Sequence, residues 1–351
     1  MPNTRDVLGD IQTLGAIVDG TISEFVDDAV DSVLSYAFAY CHSLINISLP
    51  ACTTVSTSAF TQCSALTTVS LPVCTVVGNA AFQSCSSLTS IDLPACKSVG
   101  TYAFISCTAL TTVSLPVCTS VGVEVFKRCS ALTSINLPAC KSVGNSAFED
   151  CRSLATVDLP VCTSVGGSAF VSCYSLASIN LPSCKNIYSS TFYSCSALTT
   201  VDLPVCSYVA TCAFGECHSL TTVNLPICSV TGNSAFYRCS ALTSINLPSC
   251  RNLGGSTFQD CGSLTTVSLP VCKSVGGDAF RACYNLVSLY LTSVSSVPTL
   301  GNAAVFTYTP IGGYSTHAGR YGSVFVPASL YSAFLTATNW SSISERIVSV
   351  A

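Results

Sequence analysis

Charge is scarce in this chain. Of its 351 residues only 9% are Asp, Glu, Lys or Arg, against about 25% in an average soluble domain, so Ser, Thr, Asn and the backbone must solvate most of the surface. The 13 Lys and Arg set against 17 Asp and Glu leave a net charge of −4, without the concentrated basic footprint of a nucleic-acid binder. Long apolar runs are missing too. Although 49% of residues are hydrophobic, no stretch approaches the roughly 18 uninterrupted apolar residues of a spanning helix, and membrane insertion is not expected. The same hydrophobic content excludes intrinsic disorder. The N-terminal MPNTRDVLGD lacks the basic segment and apolar core of a secretory leader; export by another route, a leader outside this sequence and release by lysis are the alternatives.

Chemistry-bearing motifs are equally sparse. There are three histidines, His42, His218 and His317, and none is placed by sequence between a nucleophile and a carboxylate as a catalytic triad requires. No CxxC pair offers zinc its usual spacing, and no phosphate-cradling glycine motif occurs in context. No catalytic residue, metal or cofactor is expected.

What the chain has is cysteine, 24 in all. Cys41, Cys63, Cys85 and onward to Cys283 recur every 22 residues without an insertion, and a second series from Cys52 to Cys272 lies midway between them. Phe38 to Phe280 and Pro50 to Pro270 keep the same step. Only Cys212 falls off this lattice. Within one unit the apolar positions are Leu110, Val113, Leu115, Cys118, Val121 and Phe126. The segment TVSL alternates as a strand does, with Val113 and Leu115 inward and Thr112 and Ser114 outward. Pro116 ends it. A second short extended piece precedes Gly122, whose conformational freedom suits a sharp turn, and the AF pair predicts a tight helical or 3₁₀ turn. Such a unit buries its apolar side only by stacking on copies of itself, which makes a parallel-stranded solenoid of about 12 coils. The cysteines then read as small buried hydrophobes in two internal ladders rather than as a disulfide framework, with Cys212 the thiol expected to react first.

The pattern LxxVxLPxCxxVGxxAFxxC over residues 30–286 resembles the BspA-like bacterial leucine-rich repeats of surface adhesins and some phage tail proteins. The resemblance implies a leucine-rich-repeat solenoid used in recognition or adhesion, without catalytic residues. Residues 1–29 are expected to form an N-terminal cap made acidic by Asp19, Glu24, Asp27 and Asp28, with Asp31 just beyond it, and residues 287–351 a C-terminal cap with a strand, a helix opened at Pro327 and a final strand.

Three exposed features are candidate binding surfaces. Lys97, Lys141, Lys185, Arg251 and Lys273 occupy one column after the second cysteine; they suit an anionic polymer, or they are a solvated stripe spaced to limit repulsion. Asp92, Asn136, Asp158, Asn180, Asp202, Asn224 and Asn246 line the outer face of the TVSL strand, suited to hydrogen bonding a sugar or a protein, or forming an ordinary wet sheet face. Tyr314, His317, Arg320 and Tyr321 gather in Gly-rich C-terminal loops, where aromatic and Arg side chains are favoured interface anchors and where closing the last coil also needs aromatics. The two residues before each first-series cysteine, such as Lys127 and Arg128 or Glu149 and Asp150, vary from copy to copy, which fits either specificity or drift on a free face. The expected partner is a surface glycan or protein receptor, met at a cell surface, extracellularly or from a phage virion. The alternative is a structural solenoid that associates laterally into a homo-oligomer or filament.

Overall fold

The computed structural model describes residues 23–314 and 316–351. Contacts divide the chain into two compact units, Met1–Leu181 and Pro182–Ala351. In the first, eight three-residue strands, from Glu24–Val26 to Ser178–Asn180, alternate along the chain with seven two-residue strands, from Ser32–Val33 to Ser164–Val165. In the second, seven strands of the longer kind, from Thr200–Asp202 to Ile347–Val350, alternate with six short ones, from Asn186–Ile187 to Thr299–Leu300. All pairing between these strands is parallel, and through the repeats it is offset by 22 residues, as in Ser134↔Thr112 and Asn252↔Ser274. Among the described residues the turns number about 15: beside the cysteine-marked coils, Glu24–Val26, Ser323–Pro327 and Ile347–Val350 extend the ladders without that landmark.

Each coil places its side chains by simple alternation. Val113 and Leu115 are buried while Thr112 is exposed. After Pro116 a turn closes with Cys118 N–H donating to the Leu115 carbonyl at 3.2 Å, and Ser120–Val121 then buries Val121.

The glycine after that strand has a different role from the turn expected of it. Gly122 and its equivalents do not adopt positive φ; instead their backbones touch. A Cβ added to Gly144 would lie 2.5 Å from the carbonyl carbon and oxygen of Gly122, so glycine is favoured there by close approach of one coil to the next, although Ser56, Tyr188 and Ala210 hold the same position in other coils. The left-handed conformations fall on other residues. Tyr102 (φ 62°) and Ser106 (φ 60°), and their counterparts in the other coils, hold it twice per turn around the AF pair. There the amides of Ala103, Ile105 and Cys107 close i→i+3 turns, while those of Tyr102, Phe104 and Ser106 donate to Val123, Val125 and Lys127 of the next coil at 2.8–3.0 Å. Left-handed backbone costs a non-glycine residue about 1–2 kcal/mol, and these bonds offset it coil by coil.

The core carries the repeat inward. In the first unit Phe38, Phe60, Phe82, Phe104, Phe126, Phe148 and Phe170 are fully buried, with successive rings nearly parallel at 5.1–5.5 Å. Phe25 tilts onto Phe38 at 5.1 Å and begins the stack. In the second unit Phe192 to Phe306 stack at 5.3–5.8 Å. Trp340 closes that end, fully buried 6.0 Å from Phe306, with its indole N–H donating to the Pro298 carbonyl at 2.7 Å. It is held by Phe334 of the short α-helix Tyr331–Thr336, which follows the strand Ser323–Pro327 and a 3₁₀ turn at Ala328–Leu330.

At the start of the first unit Glu24, Asp28 and Asp31 are exposed and Asp27 half-buried; Asp19 lies outside the described residues. No helix among the described residues is long and apolar enough to cross a membrane.

Candidate functional site

The outward column of the longer strands is a ladder of amides and carboxylates. In the first unit Asp92, Asn136, Asp158 and Asn180 are all exposed, and the Asn180 side-chain amide donates to the Asp158 carboxylate at 2.8 Å. In the second, Asn224 donates to Asp202 at the same distance. Asn246 continues the column to Ser268 and Tyr290, and Tyr290 stacks on Phe325 at 4.7 Å. Each carboxylate thus meets an amide or hydroxyl on the neighbouring strand rather than a second carboxylate. That avoids the penalty for like charges directly opposite in a sheet.

The cation column lies at the corner between the two strand types, and all five side chains are exposed. In the first unit Thr119 separates Lys97 from Lys141 by one neutral coil, and Lys141 N–H donates to the Thr119 carbonyl at 2.9 Å. In the second unit Lys185 is followed by Ser207 and Ser229, whose hydroxyls donate to the Lys185 and Ser207 carbonyls at 3.4 and 3.3 Å. Arg251 and Lys273 then stand on successive coils. Among the described residues no carboxylate pairs with any of the five.

The variable positions before the first-series cysteines pair across coils. Lys127 bridges Glu124 at 3.3 Å and Glu149, one coil on, at 3.2 Å. Arg238 reaches back to Glu216 at 3.2 Å and forward to Asp260 at 3.7 Å, with its guanidinium 4.9 Å from the Tyr237 ring centre. Sequence reasoning missed this pairing. Its signal was opposite charge one 22-residue step apart, as at positions 127 and 149 or 216, 238 and 260.

The C-terminal candidates form two separate pairs and a hairpin. Tyr314 tilts against Tyr308 at 5.7 Å, and the Arg346 guanidinium lies 4.1 Å over Tyr321. His317 and Arg320 exchange backbone hydrogen bonds at 2.9 and 3.0 Å across a tip at Ala318 and Gly319, both left-handed. The His317 Nδ1 lies 2.9 Å from the Asn285 side-chain oxygen. His42 Nδ1 meets Ser64 Oγ at 3.1 Å, and His218 Nδ1 meets the Arg238 carbonyl at 3.1 Å.

All lattice cysteines are buried. In the first series the thiols after Cys41 donate to the carbonyl of the phenylalanine 25 residues earlier, as Cys63 does to Phe38 at 2.9 Å, Cys85 to Phe60 at 3.1 Å and Cys283 to Phe258 at 2.9 Å. In the second series the acceptor is the carbonyl two residues on, as in Cys118 to Ser120 at 3.2 Å. Burial pushes the Cys129 thiol up to about 12 and that of Cys41 to about 11. Cys212 is half-buried and left-handed at φ 55°; burial raises its thiol too, opposed by a hydrogen bond with Ser234. Among the described residues no group of His, Cys, Asp and Glu could hold a metal ion.

The BspA type leucine rich repeat region model matches the chain in six copies, over residues 31–154, 119–231 and 185–311. A leucine-rich repeat protein from Bacteroides ovatus shares 25% identity at a TM-score of 0.63, covering 78% of this chain and 79% of its own. A leucine rich cell surface protein from Faecalibacterium prausnitzii shares 20% identity at a TM-score of 0.47, over 92% of this chain and 90% of its own. No curated protein matches. With the family pattern spanning most of its length and the matching solenoid built from it, the chain belongs to the BspA-type leucine-rich repeat family.

Proposed function

We propose that this chain is a non-enzymatic recognition or adhesion protein that binds a glycan or protein on a surface, acting at a bacterial cell surface or as a phage receptor-binding component. The observation that carries the reading is the cation column. Two exposed cations in the first unit and three in the second recur at the same repeat position, with no carboxylate partner among the described residues, whereas Lys127 and Arg238 at another repeat position are neutralised in place. Leucine-rich repeat families generally serve as interaction scaffolds. Binding of labelled protein to a panel of glycans and intact cells tests the reading; a silent panel at low ionic strength defeats it.

The alternative of lateral self-association draws on one feature. Val73, Val117 and Val161 are more than 40% exposed and recur on every second coil. Light scattering over a concentration series separates the two, since a filament grows with concentration and a monomeric adhesin does not.

A further inference from the structure

An open depression of about 460 Å³ lies in the second unit, lined by Ser229, Pro248, Ser249, Arg251 and Val271. That volume lies within the roughly 300–1,000 Å³ of small-molecule sites. At the position after LP, where small and branched residues alternate through much of the repeat array, three successive coils carry Ile227, Ser249 and Val271, and the small Ser249 lines the depression. Pro248 and Val271 give it apolar walls, and Ser229 and Arg251 give it polar groups.

The depression coincides with an irregularity in the cation column. Lys97 and Lys141 have a neutral coil between them, and Lys185 is followed by two, but Arg251 and Lys273 sit on successive coils. Their backbones are joined, Lys273 N–H donating to the Arg251 carbonyl at 2.7 Å, and the strands they lead into are in register. Like charges on neighbouring coils repel. Elsewhere the chain relieves such strain internally, with Glu216 and Asp260 sharing Arg238 and Asp202 meeting Asn224. Beside the depression no described carboxylate pairs with either cation. An oxyanion supplied from outside would relieve the repulsion.

We infer that this depression is a subsite for an acidic saccharide, a sugar ring carrying a carboxylate or sulfate. The oxyanion sits between Arg251 and Lys273, where charge-assisted hydrogen bonds are strongest, the ring lies against Pro248 and Val271, and a sugar hydroxyl reaches Ser229. The inference rests on the surface-recognition reading above and narrows it to one ligand class and one place.

Calorimetric titration with a hexuronate oligosaccharide, a sulfated oligosaccharide, a neutral oligosaccharide of equal length and inorganic phosphate tests it. The acidic oligosaccharides bind the unaltered chain, and the stronger of the two identifies the oxyanion. Arg251→Gln and Lys273→Gln each weaken binding about tenfold, as loss of one charge-assisted hydrogen bond predicts. Ser249→Val fills the depression with the residue already present at positions 205 and 271, keeps the charge, and also weakens binding. A thermal melt confirms that each variant is folded. If acidic oligosaccharides bind and all three pocket variants bind equally well, the subsite is overturned while surface recognition stands. It is also overturned if only the neutral probe binds, or if phosphate alone matches the oligosaccharides. Surface recognition itself fails only with the silent glycan and cell panel.

Discussion

The thiol of Cys85 donates to the carbonyl oxygen of Phe60 at 3.1 Å. That oxygen also accepts the amide of Cys63 at 3.2 Å, so the cysteine of the following coil completes the second lone pair of a buried carbonyl. Cysteine therefore fills space and donates at once. Cys85→Ala should lose both, at about 1–3 kcal/mol, and Cys85→Ser, which keeps a donor, should lose less. Urea midpoints for the two variants check the order.

The thiol ladders also set a direction for pH dependence. Burial raises Cys129 from its ordinary 9.0 to about 12, and Cys41 to about 11, so above pH 9 the unfolded chain releases protons that the folded chain retains. The contribution is fully present below pH 9 and is lost as pH rises toward 11–12. Each such thiol removes up to about 1.4 kcal/mol per pH unit in that window. Because many thiols share the shift, urea midpoints between pH 7 and 11 should stay level and then fall steeply. A flat profile to pH 11 would contradict the buried ladders.

Close approach at the glycine column predicts a contrast between two small changes. Gly144→Ala puts a methyl group 2.5 Å from the Gly122 backbone and should cost 2 kcal/mol or more, roughly the scale of overpacking and backbone strain. Gly262→Ala meets only Tyr284 Cδ2 at 3.9 Å and should be within about 0.5 kcal/mol of the original chain or slightly more stable. Thermal melts of the pair read the difference.

Thiol titration distinguishes Cys212 from the lattice. A bulky aromatic disulfide reagent should modify one thiol in the native protein, and Cys212→Ser should abolish that fast phase. Unfolding without reductant should expose all 24. A shortfall of paired thiols would mean that disulfides link the ladders.

Much of this architecture is legible in the residues because it is periodic. Val113, Leu115, Cys118 and Phe126 recur every 22 residues, and a side chain that must be small or apolar in every copy faces a shared interior. Features that depend on two coils at once are harder to read. Gly122 looks like a turn residue until the neighbouring backbone is seen against it, and Lys127 and Glu149 look merely variable until read across one step. Tyr102 and Ser106 hold left-handed backbone with side chains that do not favour it, so residue type cannot reveal it. The depression beside Arg251 has no distinct mark in the sequence, because small and branched residues alternate at the position of Ser249 through much of the array.

The constant 22-residue offset also makes the array modular in whole coils. Excising 22 residues from within one unit returns Phe to Phe, glycine to glycine and each thiol to its carbonyl, leaving a shorter protein with every ladder intact. Excising 11 would also return cysteine to cysteine, yet it would bring one series into the place of the other and set the proline corner against the phenylalanine stack. Gain or loss of whole coils is therefore the change in length that this chain can absorb, and each coil gained or lost moves one charged or neutral rung along the corner that carries its cations.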